Sequence, residues 1–441
     1  MITDRPLRFC MITTFYPPYN FGGDGIFVQR LSNELARRGH QVEVIHCIDS
    51  YRFLAGQEPD TRYEDHPNLT VHGLKSPVGF CSPLATQQTG LPLFKSRRIR
   101  QILNKGFDVI HYHNISLVGG PKIMEYGHGI KLYTMHDYWL LCPTNVLFRF
   151  NRAPCVQRHC FTCALSYKRP PQLWRHLRLL ETNLKHVDAL IAPSQFAKEI
   201  HSQLGFNPPI VHLPHFGSNS SGANTQHSKS DVASTTRPYF LFVGRLEKLK
   251  GPQTLVPMFR EYGKAQLWIA GTGSYESRLR RLASGSDNIR FLGQQSSEQL
   301  QKLYQGALAV IVPSICFEVF SLVIVEAFMQ RTPVIARNIG GIPELMQGSG
   351  GGFLYRTDEE LLNAMHSIAT SPTLRSELGD KGYRAFVLRW SNDVHLKLYF
   401  DFLGKIAMRK FGYVPWKREN PEWPQPGFSV THGLTTSSKH H

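Results

Sequence analysis

The stretch Ala307–Gly341, ALAVIVPSICFEVFSLVIVEAFMQRTPVIARNIGG, decides how this chain folds. Its opening ALAVIVPS is an apolar run closed by proline and serine, the pattern of a buried strand. Residues after Phe320 have helical character, and TPVIARNIGG (Thr332–Gly341) returns to a strand-like run. That order places Glu318 in the loop after the first strand and Glu326 on the first turns of the helix. In an open α/β sheet such a loop lies at the carboxyl edge, where ligands bind. Taken alone, two such acids are better read as a solvated loop residue and a partner for the helix dipole. The rest of the chain alters that reading.

The same alternation runs outward in both directions. Strand-like segments occur at Leu7–Phe15, Gln41–Cys47, Phe107–His113, Lys131–Asp137 and Ala189–Ser194, with a helical pattern from Ile26 to Arg38 that closes at Gly39. A polar, low-complexity stretch, Gly217–Thr236, interrupts it, as a linker or flexible insertion does. The rhythm restarts at YFLFVGR (Tyr239–Arg245) and continues through AQLWIAGTG, NIRFLG, ALAVIVPS and TPVIAR. Strand-then-helix repetition predicts parallel sheets with helices on both faces. Two Rossmann-like domains, 1–216 and 238–390, joined by 217–237, are the simplest architecture. Residues 411–441 are rich in Pro, Trp and Ser and read as a loosely ordered tail.

The 441 residues carry a formal charge of +17. It is unevenly placed: His66–Leu180 holds fifteen Lys and Arg against three acids, Asp108, Glu125 and Asp137. Such a field implies an anionic partner: an acidic membrane leaflet, a pyrophosphate-linked acceptor or nucleic acid. KSRRIR (Lys95–Arg100) and WRHLRLL (Trp174–Leu180) interleave basic and apolar residues, which suits an interfacial surface; solvated helix faces explain either cluster equally well. No stretch approaches the ~20 apolar residues that span a bilayer. PLRFCMITTFYPP reads as a first strand and not a signal peptide. The expectation is a cytoplasmic protein, peripheral at the inner membrane face if the basic field meets lipid, with mostly reduced cysteines.

The spaced pattern E-x-F-S-L-x-x-x-E-A (Glu318–Ala327), followed by P-V-I-A and G-G-I-P-E (Gly340–Glu344), resembles the retaining glycosyltransferases of family 4. GRLEKLKG (Gly244–Gly251) carries the same family's GR-x4-KG signature. The resemblance runs from about Leu7 to Lys410 with the linker excepted, is strongest over Tyr239–Glu344, and implies the GT-B fold, two Rossmann-like domains facing each other across a cleft. It also implies that helices in 391–410 cross back to the first domain. Family members often have Gly where this chain has Ser321, a small-for-small change.

By that resemblance Glu318 lies near the donor sugar hydroxyls and Glu326 near the nucleotide ribose. The backbone amides of Phe320, Ser321 and Leu322 face the diphosphate, and Arg245 and Lys250 bind it. The chemistry agrees: a leaving nucleoside diphosphate gains charge as the glycosidic bond breaks, and fixed cations favour that state. AGTGSYESRL resembles the family's G-x-G loop, although a tight strand-to-helix turn explains Gly271 and Gly273 equally well. Gly293 and Gln294 fall where the family places its base pocket. Gly22 and Gly23 match the family's GG loop, and glycines there let backbone amides approach a phosphate or sugar.

His136, at a strand end in TMHDYW, matches a family histidine near the reacting centre; it would hydrogen-bond or steady the donor sugar, with Asp137 orienting its ring. A structural histidine is the equal alternative. Cys142, Cys155, Cys160 and Cys163 have C-x12-C-x4-C-x2-C spacing with His159 alongside. A structural zinc site, disulfides and unlinked thiols all remain open. No D-x-D pair occurs in the chain, so the donor phosphates are expected to be neutralised without a divalent cation, and no cofactor is expected for catalysis.

The sequence therefore reads as a retaining glycosyltransferase. It would move a hexose from a UDP- or GDP-sugar to a glycan or lipid-linked acceptor in polysaccharide or glycolipid synthesis, with nucleic acid an unlikely partner. A sugar-nucleotide epimerase or hydrolase on the same fold, and a non-catalytic basic binding protein, are the competing classes.

Overall fold

The computed structural model describes residues 3–59, 62–157, 159–203, 208–217, 223–224 and 237–417. Most of the linker stretch 217–237, and the tail from 418 on, lie outside the described residues. Two parallel sheets organise the rest. The first has strands β1 (Arg8–Ile12), β2 (Gln41–Cys47), β3 (Leu69–Leu74), β4 (Val109–Tyr112), β5 (Ile130–Thr134), β6 (Ala189–Ala192) and β7 (Ile210–His212). Its spatial order is β7-β6-β5-β4-β1-β2-β3. The second has β8 (Tyr239–Val243), β9 (Gln266–Ala270), β10 (Ile289–Gly293), β11 (Val310–Val312), β12 (Val334–Arg337) and β13 (Gly352–Tyr355), ordered β10-β9-β8-β11-β12-β13. Every pairing within these two sheets is parallel.

Central strands such as VIHY and ALIA are buried at every residue, because helices cover both faces and no alternation of polar residues is tolerated. Three strands escape the sequence pattern. β3, LTVHGL, is an edge strand with Thr70, Val71 and Gly73 exposed. β7 and β13 are also edge strands, three and four residues long. Edge strands lack the continuous apolar run that makes a buried strand visible.

The helices that shape the cleft are α1 (Gly23–Arg37), α2 (Ile48–Ala55), α3 (Cys81–Thr89), α4 (Ser96–Leu103), α5 (Gln195–Ser202), α6 (Leu322–Met329), α7 (Ile342–Ser349) and α8 (Asn392–Phe411). Phe27, Val28, Leu31 and Leu35 of α1 follow helical spacing and pack on Phe9 and Met11 of β1. The last helix, α8, joins the same cluster through Leu396, Tyr399, Phe400, Leu403 and Ile406. Through α8 the described chain returns from the second sheet to the first. No helix among the described residues is long and apolar enough to cross a membrane.

Candidate active site

In each sheet the strand order reverses beside the first strand, so the loops on either side of that strand diverge and leave a crevice. In the second sheet β8 lies between β9 and β11. The loop after β8 therefore faces the loop after β11. Gly251 closes the first of these at φ +76°, and a Cβ there would stand 2.0 Å from the carbonyl oxygen of Pro313. Only glycine lets the two loops approach this closely. Their approach brings Lys250 Nζ to 2.7 Å from Glu318 Oε1, and the Ser314 hydroxyl donates to the same oxygen at 2.6 Å. Glu318 is 9% exposed. Burial pulls the Lys250 ammonium down most strongly, but the Glu318 charge, the neighbouring Cys316 and the hydrogen bond to Glu318 together hold Lys250 above its ordinary range.

The GGIPE segment completes this pocket. Gly340, at φ +62°, lies against the Glu318 backbone, and Gly341 N–H donates to the Glu318 carbonyl at 2.8 Å. α6 then begins at Leu322 with Ser321 at its N-cap position, so its amide dipoles open toward the crevice. Arg245 is exposed, pairs with Glu247, and lies 5.9 Å from the Phe21 ring of the first unit. Gly273 packs on the backbone of Leu246, a close approach that explains it by packing alone. Gln294 is exposed just past β10, on the strand farthest from β11 on that side.

In the first sheet the crevice opens between β1 and β4. Gly22 is the N-cap of α1 and Gly23 its first residue. A Cβ on Gly23 would stand 3.3 Å from Leu322 of α6, and one on Gly22 would stand 3.7 Å from the Arg245 side chain. The GG loop thus faces Arg245 and the start of α6. His136 follows β5 and is the middle ring of a chain: His113 Nδ1 is 2.9 Å from His136 Nε2, and His136 Nδ1 is 3.1 Å from His215 Nε2. Burial lowers His136 to about 4 against the pull of Asp24, so the ring is neutral near pH 7. Phe320 meets His215 edge-on at 5.2 Å.

Asp137 does not orient that ring. Its oxygens take the Trp139 amide at 2.9 Å and the Asn145 side chain at 3.0 Å, so it anchors the following turn. Burial raises it to about 6, with the Trp139 amide opposing.

Side chains cross between the two units at several points. Arg30 of α1 pairs with Glu326 of α6 at 2.6 Å, and the Tyr304 hydroxyl donates to the other Glu326 oxygen at 3.0 Å. In this structure both Glu326 oxygens therefore have protein partners where the resemblance had led us to expect a ribose. Glu344, the acid of GGIPE, accepts the Gln195 and Phe196 amides at 2.7 and 2.6 Å and so caps α5 from across the cleft. Lys248 Nζ reaches the Asn151 carbonyl at 2.8 Å.

Residues 21–216 match the family described as Glycosyltransferase Family 4, and residues 224–385 match Glycosyl transferases group 1. The D-inositol 3-phosphate glycosyltransferase of Corynebacterium jeikeium is 32% identical over 382 residues, covering 81% of this chain and 86% of that one. The chain belongs to this glycosyltransferase family. Its architecture is GT-B. The sucrose-phosphate synthase of Thermosynechococcus elongatus superposes with a TM-score of 0.69 at 20% identity, over 91% of this chain and 100% of its own. An Anabaena protein, HepE, solved in complex with UDP, superposes at 0.60 with 16% identity, over 90% and 100%.

The glycosyltransferase carries its four clustered cysteines beyond β5. Among the described residues no two cysteines are joined by a disulfide. Cys163 Sγ accepts the Phe150 amide at 3.3 Å, Cys142 Sγ lies 3.2 Å from the Thr144 hydroxyl, and the Cys155 thiol donates to the Gln157 carbonyl at 3.5 Å. Burial first, and then the neighbouring Cys142, Cys160 and Cys163, raise the Cys155 thiol. Among the described residues no group of three or more His, Cys, Asp or Glu side chains is arranged to hold a metal ion. The disulfide alternative is absent as well.

Several contacts of the glycosyltransferase's cleft lay beyond sequence reasoning. Arg30, Tyr304 and His215 come from segments with no motif of their own, and Ser314 reads in the sequence only as the end of the ALAVIVPS strand. His113 had a signal that went unused: in VIHYH the period of two puts His111 and His113 on one face of β4's line.

Proposed function

We propose that this protein transfers a sugar, with retention at the anomeric carbon, from a nucleotide-diphosphate sugar to a glycan or lipid-linked acceptor at the inner membrane face. The observation that carries the reading is the Lys250–Glu318–Ser314 cluster at the crevice beside β8 and β11. It sets a cation and a carboxylate side by side at the mouth of a helix N-terminus. Lys250, Arg245 and the first amides of α6 would neutralise the diphosphate, and Glu318 would accept donor-sugar hydroxyls. The first unit, 1–216, would serve the acceptor and 238–390 the donor, with 391–410 crossing back.

In the transfer, the bond from the anomeric carbon to the diphosphate oxygen breaks. The acceptor oxygen bonds that carbon on the same face, and its proton passes to the leaving phosphate. His136, neutral and held at both nitrogens, would act as a fixed wall of the sugar site and not as a base. The C. jeikeium relative is named a D-inositol 3-phosphate glycosyltransferase, which supports glycosyl transfer, and the Anabaena neighbour was solved with UDP, which favours a nucleotide-sugar donor here. Metal analysis of the purified protein separates zinc-held from free cysteines in the loop after β5.

A thermal-shift panel with UDP, GDP, ADP and CMP, with and without EDTA, tests the donor site. A ligand at ~100 times its dissociation constant adds ~2.7 kcal/mol of apparent stability. A shift with one nucleoside diphosphate that survives EDTA is expected; no shift with any overturns the reading. Interconversion of a free nucleotide sugar without acceptor would favour the epimerase class instead.

A further inference from the structure

The surface around α3 carries none of the residues assigned above to the donor. At its amino end the rings of Phe53, from α2, and Phe80 stack at 6.0 Å between centroids. They are 48% and 57% exposed. With Arg52 and Lys75 they line an open cavity of about 600 Å³. Two short 3-10 turns, Leu93–Lys95 and Leu173–Leu177, pack along α3. The second is pinned by Trp174, whose indole N–H donates to the Gln87 carbonyl at 2.8 Å.

Each turn buries one residue, Lys95 or Trp174, and leaves its large apolar residues in water: Leu93 and Phe94 in one, Leu173 and Leu177 in the other. Next to them α4 buries Ile99, Ile102 and Leu103 and exposes Arg97, Arg98 and Arg100. Scattered exposed leucines are ordinary, but apolar side chains gathered in one patch mark an interaction surface. Two of the nearby acids are engaged, Asp49 by the Ser76 amide at 2.7 Å and Glu58 by Arg52 at 2.5 Å, while Glu181 beside the second turn is exposed. What remains is apolar knobs with the exposed cations Lys75, Arg97 and Arg98 set among them.

We propose that this face docks the protein on an anionic lipid bilayer. Phe53, Phe80, Phe94 and Leu177 enter the boundary between headgroups and acyl chains, and Lys75, Arg97 and Arg98 meet lipid phosphates. Charge complementarity selects lipid as the occupant: an acidic leaflet matches the sign of the field, and its interface accepts isolated aromatic and leucine side chains. Position gives the docking a purpose. α2 and the 75–80 loop follow the carboxyl ends of β2 and β3, the rim that also carries the GG loop. Tyr51 of α2 stacks on Phe21 at 4.7 Å, and Arg245 stands over that same ring. A lipid-anchored acceptor held in the bilayer would therefore meet the cleft from the side.

The proposal deepens the lipid-linked reading of the acceptor and rests on it only for its purpose, so it is tested without turnover. The purified protein is floated with phosphatidylcholine vesicles and with mixed phosphatidylcholine–phosphatidylglycerol vesicles at low and high salt. Co-flotation with the acidic vesicles alone, weakened by salt, is expected. The pairs Phe53→Ser with Phe80→Ser and Arg97→Glu with Arg98→Glu should each reduce binding at least tenfold, since one cation near such a surface is worth about fivefold. Val387→Ser with Leu388→Ser, exposed apolar residues of the second unit, should bind as the parent does. Circular dichroism melts confirm that each variant is folded, and the charge pair keeps the test decisive if the aromatic pair is not. Absence of flotation, equal binding to neutral vesicles, or parental binding by both patch variants overturns the proposal. A nucleotide thermal shift alongside any of these results leaves the donor site standing.

Discussion

Replacing Lys250 by methionine keeps the length of the side chain and removes its charge, and two measurable losses should follow. The first is stability. Glu318 is 9% exposed and would keep only the Ser314 hydroxyl among the partners described above. Breaking a fully buried ion pair costs about 3–5 kcal/mol. The Lys250 side chain is 37% exposed, so water screens part of the pair and about 1–3 kcal/mol is the reasonable range. Glu318→Gln should cost less, because the orphaned ammonium can turn to solvent. The double variant should lose less than the sum of the singles, with a coupling of about 0.5–3 kcal/mol. Urea unfolding of the four proteins measures this cycle. The second loss is donor affinity: a charge-assisted hydrogen bond to phosphate is worth about 1.5–3 kcal/mol, or roughly 10- to 100-fold in the dissociation constant by calorimetry. Additive stabilities would mean that the pair is not formed in solution. Parental nucleotide affinity in Lys250→Met would remove the phosphate assignment altogether.

Three further outcomes are expected. Arg30→Met breaks a cross-unit pair whose side chains are 14% and 17% exposed; a loss of about 3 kcal/mol in chemical unfolding is expected, and a loss under about 0.5 kcal/mol would show that the contact does not persist. Gly251→Ala places a methyl group on the Pro313 carbonyl at positive φ and should cost more than about 2 kcal/mol together with nucleotide binding; a neutral result would mean that the loop relaxes freely. Burial lowers His40, His46, His201 and His395 from 6.5 to about 4. Their unfolded forms bind protons first, so this stability is present above pH 6.5 and is lost as pH falls toward 4, at up to about 1.4 kcal/mol per pH unit for each ring. Asp137, raised from 3.8 to about 6, works in the opposite sense as pH rises through that window, but one carboxyl cannot offset four rings. Melting temperatures across pH 4–7 should fall on the acid side, and a flat profile would contradict the buried, neutral histidines.

The candidate site was legible where chemistry is written along the chain. Glu318, Lys250, Arg245 and the GG pair each stand at a loop after an apolar strand, and the strand-then-helix order already put each loop on the carboxyl rim of its own sheet. The partners that give the acids their state were not legible. Glu326 looked free for a ribose, yet Arg30, nearly 300 residues away in the sequence, holds it. Asp137 looked like the orienter of its neighbour His136, yet it turns to the Trp139 amide while His113 and His215 take the ring. The cysteine spacing suggested a cage, whereas backbone and hydroxyl groups engage three of those thiols one by one.

By itself the sequence determined the alternation of strand and helix, hence two parallel sheets, and the residue types presented at their carboxyl edges. These follow from local apolar periodicity and from turn residues, which act over a few positions. Tertiary structure alone decided which loops touch, which edge strands exist, and which exposed apolar residues gather around α3. Those outcomes depend on contacts between segments far apart in the chain, where packing and ion pairing act in three dimensions and leave no period in the sequence.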